Sequence, residues 1–262
     1  MDFFELQDIA ETNIELFSPC NSERLLELGR YLKLDDTSRV IDFGCGTGEL
    51  LAIWGGKFGV SGTGIDIRES CIRRAEAKIT ELGLNTQIKI THGPVSDYSF
   101  ADRKFDVAMC LTSSYTWGGF AQSLENMKMA IKPEGKVVIG EPHWLSDRVK
   151  IDIASKEPFF TERELLEIAR KQGFDFEYMF RASRDDLDAY ESRLWKGYLD
   201  WLEVNPDHPD REQVIEHLHK IQNNYFEFDR DNFGWAIYVL NPVKYKAVSE
   251  IEAVISETSV SS

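Results

Sequence analysis

Residues 40–50, VIDFGCGTGEL, constrain this chain more than any other stretch. Val40, Ile41 and Phe43 read as a buried strand around Asp42. Gly44, Gly46 and Gly48 follow directly, ahead of the helix-forming Glu49 and Leu50. A strand bent sharply into a helix is the repeating unit of an α/β sheet, and the rest of the chain has to be laid out around it. Glycine serves such a turn in two ways: it takes backbone angles closed to other residues, and it leaves no side chain between backbone and ligand. The helix N-terminus beyond offers N–H groups that have no partner within the helix.

The spacing sorts between the ligands such a turn can take. A dinucleotide fingerprint reads G-x-G-x-x-G, whereas here the third glycine comes one position early and Glu49 stands where that pattern needs glycine. A phosphate loop requires Gly-Lys-Ser/Thr, and no such triplet follows. An acid beside the loop suits an ammonium or sulfonium group better than a pyrophosphate, because like charges repel in a partly dry pocket. The string D-x-G-x-G-x-G, from Asp42 to Gly48, closely resembles the first motif of class I S-adenosylmethionine-dependent methyltransferases. The resemblance continues to about Trp144, through the turn KPEG and the strand after it.

That resemblance implies an α/β, Rossmann-like fold: a seven-stranded, mostly parallel sheet with helices on both faces and an antiparallel last strand. It also implies S-adenosyl-L-methionine as cofactor, lying across Asp42, Gly44, Cys45, Gly46, Thr47 and Gly48. A helix from Glu49 to about Phe58 leads to a second strand ending in Asp66, with Ile67 beside it. Asp66 stands at about the twenty-residue offset where a carboxylate accepts two hydrogen bonds from a ribose diol. An acid ending a strand can also cap the next helix, a task for which Glu69 is equally placed. In the resembled family an acid commonly follows the glycine after strand three and touches the adenine amino group. Here Pro94 takes that place, leaving the backbone at Val95 to read the adenine edge, with Asp97 as a substitute acid.

Beyond residues 69–84, an outer amphipathic helix, the sequence predicts strand three at 87–91 and strand four at 104–111. Ligands in open α/β sheets bind beyond the carboxyl ends of the strands, which brings Leu111, Ser113, Ser114, Tyr115 and Trp117 to the chemistry. The Asn/Asp-Pro-Pro-aromatic motif of enzymes that methylate amino groups of DNA, RNA or glutamine is absent at this point. A helix over 118–131, the turn KPEG and strand five, KVVIGE, follow. Strand five runs into Glu141, Pro142, His143 and Trp144, and an acid and a histidine at a strand end are candidates for general-base work, as is Tyr115. Their alternative is structural: Glu141 ordering the loop and His143 pointing to solvent.

Thr161 and Glu164 form a capping box for a regular helix, and 174–182 is the sixth strand. Residues 183–231 then intervene before the last strand, GWAIYVLNP. Leu187, Tyr190, Leu194, Tyr198 and Trp201, and after a break Val214, Leu218, Ile221, Tyr225 and Phe228, recur at helical spacing. Two antiparallel helices are implied, serving as an aromatic lid or as an interface. The organisation expected is 1–34 as N-terminal helices covering the cofactor mouth, 35–182 and 232–243 as methyltransferase core, 183–231 as helical insert, and 244–262 as a short helix and frayed tail.

Composition bounds the partners. A chain of 262 residues suits one α/β domain with an appended element. A formal net charge of -15 gives no long-range attraction to a phosphate backbone or an anionic membrane, so neither nucleic acid nor membrane is an expected partner. Four scattered cysteines without a C-x-x-C pair read as free thiols, and the acidic N-terminus lacks the regions of a signal peptide, so a cytoplasmic location is expected. The histidines show no metal spacing. The function expected is direct in-line methyl transfer from S-adenosylmethionine to a small-molecule acceptor, with a homodimer left open. The alternatives are a non-catalytic S-adenosylmethionine-binding protein and a nicotinamide-dependent oxidoreductase.

Overall fold

The computed structural model describes residues 1–99, 104–146 and 159–243. The helix expected within 244–262 lies outside them. The strands are β1 (Arg39–Phe43), β2 (Ser61–Asp66), β3 (Ile88–His92), β4 (Phe105–Leu111), β5 (Ile131–Trp144), β6 (Phe174–Arg181) and β7 (Phe233–Pro242). They form one sheet in the order β3-β2-β1-β4-β5-β7-β6. β1 pairs in parallel with β2 and β4, and β7 is antiparallel to both β5 and β6. The order reverses between β1 and β4, and a crevice must open where their carboxyl ends diverge.

Alternation along the strands sends side chains to opposite faces. Val40, Met109, Val138, Ile237 and Val239 fall in one core, with Leu25 and Leu28 of α2 (Ser22–Tyr31) and Leu51 and Trp54 of α3 (Glu49–Phe58). Ile41, Phe43, Cys110, Ile139 and Tyr238 fall in the other. Leu124 and Met127 of α5 (Phe120–Ala130) and Leu165 of α6 (Glu162–Lys171) join them. Trp54 is fully buried and donates its indole N–H to the Leu25 carbonyl at 2.8 Å, so its polar end is satisfied within the core. α4 (Glu69–Glu81) covers the β2–β3 side with Ile72, Ala75 and Ile79 buried.

One local expectation is corrected. KPEG does not precede a fresh strand, because β5 already pairs Ile131 with Phe105, and the next pair is Lys136 with Val107. Residues 132–135 are held in the irregularity between those pairs, so Pro133 and Gly135 shape a bulge instead of a connection.

The N-terminal segment divides its work. α1 (Phe3–Ala10) is closed by a capping box between Asp2 and Glu5. Its Leu6, Ile9 and Ala10 form a satellite core with Tyr198 and Leu202 of α7 (Arg184–Val204) and Val214 and Leu218 of α8 (Arg211–Asn224). Arg211 at the start of α8 bonds the Leu202 carbonyl near the end of α7. Tyr225, just past α8, bonds Asp188 near the start of α7, at 2.5 Å. The two helices are therefore antiparallel.

Candidate functional site

The chain leaves β1 through Gly44, Gly46 and Gly48 at φ of +75°, +52° and +71°, a left-handed course that side-chain-bearing residues rarely follow. Close packing adds a second constraint. A Cβ on Gly44 would stand 2.3 Å from Ser113 Oγ, and one on Gly46 would stand 2.9 Å from the Phe17 ring. The expectation that these glycines clear space for a ligand is thus only part of their role, since protein side chains already come close. Gly48 packs on Ala75 of α4 and lies off the crevice wall.

Two adjoining cavities occupy the β1/β4 divergence. The larger, of about 300 Å³, is bordered by Gly44, Asp66, Ile67, Val95, Leu111 and Tyr115, with Glu11 of the N-terminal segment and Tyr190 of α7 closing its far side. The smaller, of about 40 Å³, is bordered by Asp42, Cys45, Gly46 and Thr47 and by residues 15–18. Phe17, Gly44 and Leu111 belong to both. Phe17 divides the crevice without filling it, held near the guanidinium groups of Arg68 and Arg74 at 5.0 and 5.8 Å. The structure therefore gathers every expected cofactor residue except Gly48 around one divided crevice.

Asp66 is buried, its Oδ2 accepting the Gly46 N–H at 2.8 Å and its Oδ1 the Arg68 N–H at 2.9 Å. It thus braces the glycine turn and holds the backbone leading into α4, which has no side-chain cap. Glu69, weighed as the cap, instead pairs with Arg73 one turn on. Asp42 is buried with Oδ1 lacking any hydrogen-bond partner among the described residues. Burial, reinforced by the nearby Asp66 charge, pushes its carboxyl up to about 7. Glu49, read from sequence as an acid beside the loop, is paired with Lys78 at 2.5 Å, a cation it shares with Glu15.

The other expected residues separate. Pro94 and Val95 border the large cavity, whereas Asp97 is exposed and accepts from Ser96. Tyr115 is exposed and stands at the large cavity. Glu141 is buried, its carboxyl pushed up to about 7 by burial against a smaller lowering influence of Ser114, with Oε1 unpartnered among the described residues. His143 does not point to solvent and reaches neither cavity. It is fully buried against Gly234, with Nδ1 3.4 Å from the Tyr238 hydroxyl and Nε2 3.6 Å from Glu162, and burial holds its imidazole below the ordinary value. A group so enclosed is a structural part of the β5–β7 contact.

Three contributors escaped the sequence reading. Thr112 takes φ of +63°, costly for a β-branched residue, while its hydroxyl accepts the Trp235 indole N–H at 2.9 Å and its N–H binds Gly140. Nothing local in TSSYTW signals that strain. Phe17 follows a helical pattern until the Ser18-Pro19 break and carries no mark of its position over residue 46. Arg68 pairs with the buried Glu11 at 2.6 Å, and burial raises the Glu11 carboxyl against the pull of that arginine. This ion pair ties the N-terminal segment to the strand-two end.

Comparison with known proteins adds an independent line. Residues 40–135 match a family model described as a methyltransferase domain. The chain is 31% identical over 246 residues to the uncharacterised protein YjhP of Escherichia coli strain K12, covering 92% of this chain and 99% of YjhP. It is similar to the crystal structure of a SAM-dependent methyltransferase from Geobacter sulfurreducens in complex with S-adenosyl-L-homocysteine. There the TM-score is 0.84 at 32% identity, covering 91% of this chain and 98% of that one. A SAM-dependent methyltransferase from Thiobacillus denitrificans, also in complex with S-adenosyl-L-homocysteine, matches with TM-score 0.84 at 31% identity, covering 92% and 100%.

Proposed function

The chain belongs to the S-adenosylmethionine-dependent methyltransferases, and from that premise we propose how its crevice divides the work of methyl transfer to a small-molecule acceptor. The family assignment removes the nicotinamide-dependent oxidoreductase. Bound S-adenosylmethionine contributes an electrophilic methyl group on a sulfonium.

The residues present fit such a ligand. The larger cavity takes the adenosine, with Asp66 accepting from the ribose hydroxyls through lone pairs not used by Gly46 and Arg68, and with Ile67 and Val95 flanking the adenine. The smaller pocket takes the amino-acid end. An ammonium there would give Asp42 Oδ1 the partner it lacks and restore the carboxylate's charge. Leu111 lies under the junction, and Phe17 shields it from water. The protein's part in direct in-line displacement is then alignment and exclusion of water, with no covalent protein intermediate.

The observation carrying this reading is that the orphaned Asp42 oxygen and the braced Asp66 carboxylate stand on two cavities sharing Gly44, Phe17 and Leu111. Calorimetry with S-adenosylhomocysteine tests it. Wild-type protein is expected to bind at a one-to-one ratio, and substitution at either Asp42 or Asp66 is expected to weaken binding. Unchanged affinity in both variants would place the cofactor elsewhere. An assay for S-adenosylhomocysteine release across pooled small metabolites then seeks the acceptor.

A further inference from the structure

A separate chamber of about 380 Å³ lies on the β4–β5 side of the crevice, within the size range of small-molecule sites. It meets the cofactor crevice at Thr112 and Tyr115, which border both. Its walls are Phe120, Pro142, Phe159, Phe160 and Leu165, and Glu141 contributes the one acidic side chain among its described lining residues. Sheet pairing fixes the Glu141 backbone opposite Ala236 of β7, Ser114 lines the chamber beside it, and Oε1 is buried without a hydrogen-bond partner among the described residues. A buried acceptor left unmatched is costly, so this arrangement calls for a donor from outside the chain.

Resting on the cofactor reading above, we propose that this chamber is the acceptor compartment, that it takes an apolar, uncharged molecule bearing a hydroxyl group, and that Glu141 is the catalytic residue that binds that hydroxyl. Aromatic and aliphatic walls disfavour a charged acceptor, and a carboxylate-bearing one would also meet Glu141. A neutral hydroxyl donates to Oε1 and enters without that cost. It is a weak nucleophile until it loses its proton, which is the service a carboxyl poised near neutrality performs. In the step itself the hydroxyl oxygen forms a bond to the methyl carbon, the carbon–sulfur bond breaks with its electron pair left on sulfur, and the hydroxyl proton passes to the Glu141 carboxylate. The products are a methyl ether, a neutral thioether and a protonated Glu141 that returns its proton to solvent. Thr112, strained and anchored to Trp235, keeps the passage between the two compartments open.

The test is binding to the protein loaded with S-adenosylhomocysteine, with 2-naphthol and 2-naphthoate as probes. 2-Naphthol is expected to bind about tenfold or more tightly than 2-naphthoate, and Glu141→Leu to weaken 2-naphthol by about tenfold through the lost hydrogen bond. Phe160→Ala, at a partly exposed wall position, is expected to weaken it by about fivefold. Both variants should keep wild-type affinity for S-adenosylhomocysteine, which also shows that they fold. If S-adenosylhomocysteine binds normally but 2-naphthol does not bind, or binds wild type and both variants alike, or 2-naphthoate is preferred, the chamber assignment is overturned and the cofactor reading stands. Failure of the wild-type protein to bind S-adenosylhomocysteine would overturn both.

Discussion

The backbone N–H of Gly46 donates to Oδ2 of Asp66 at 2.8 Å, joining two strand ends that lie 20 residues apart in the chain. One carboxylate therefore shapes the glycine turn and stands on the crevice wall, and a change at Asp66 must register in both stability and binding.

Asp66→Ala leaves the Gly46 and Arg68 N–H groups without acceptors and removes the proposed ribose contact. The expected result is a loss of about 1–3 kcal/mol in stability with a comparable loss in cofactor binding. Asp66→Asn, which keeps one acceptor oxygen, should fall between. Denaturant unfolding and S-adenosylhomocysteine calorimetry on the same samples check this, and a variant that loses binding alone would remove the bracing role.

Asp42 makes ligand-free stability depend on pH. Its carboxyl ordinarily titrates at 3.8, and in the folded chain burial, then Asp66, push it up to about 7. Between those values the folded protein holds a proton that the unfolded chain has released, so this contribution is full below about pH 4, declines as pH rises to about 7, and is level above. Glu141 acts in the same sense, from an ordinary 4.5 to about 7. Melting temperatures measured from pH 4 to 8 should decline less steeply in Asp42→Asn than in wild type. Cofactor binding below pH 7 should also release a proton from Asp42, seen by calorimetry in buffers of different ionisation enthalpy and absent in Asp42→Asn.

Gly197 of α7 lets the insert pack tightly on the end of α1, since a Cβ there would stand 2.3 Å from the Ala10 carbonyl oxygen. Gly197→Ala is expected to force the two helices apart at a cost of about 1–3 kcal/mol. Hydrogen exchange should show α1 losing protection first. Equal protection in both proteins would mean that the contact relaxes without strain.

Phe17→Ala removes the ring that stands between the two cavities. Losing that cover and its contacts with Arg68 and Arg74 should weaken S-adenosylhomocysteine binding by about 1–2 kcal/mol, read mainly as faster dissociation in stopped-flow displacement. Tighter binding would instead make Phe17 an obstruction.

The β1–α3 turn, the strand alternation and the helical insert were all legible, because each is written in local periods and in glycines at fixed spacing. The residues 40–50 told of a strand–turn–helix because backbone angles and apolar alternation are properties of neighbours in the chain. Glu49 and His143 show the limit. An acid beside the loop shows nothing in sequence of its pairing with Lys78, from another helix, and a histidine at a strand end looks exposed until β7 and Glu162 close over it. Phe17, Thr112 and the Asp42 oxygen left without a partner are likewise products of distant elements meeting. Sequence by itself determined the layers, the turn and the family it resembles. Tertiary structure alone decided which charges are matched, which are buried and raised, and where space remains, because burial and pairing belong to the packed whole and not to any segment of it.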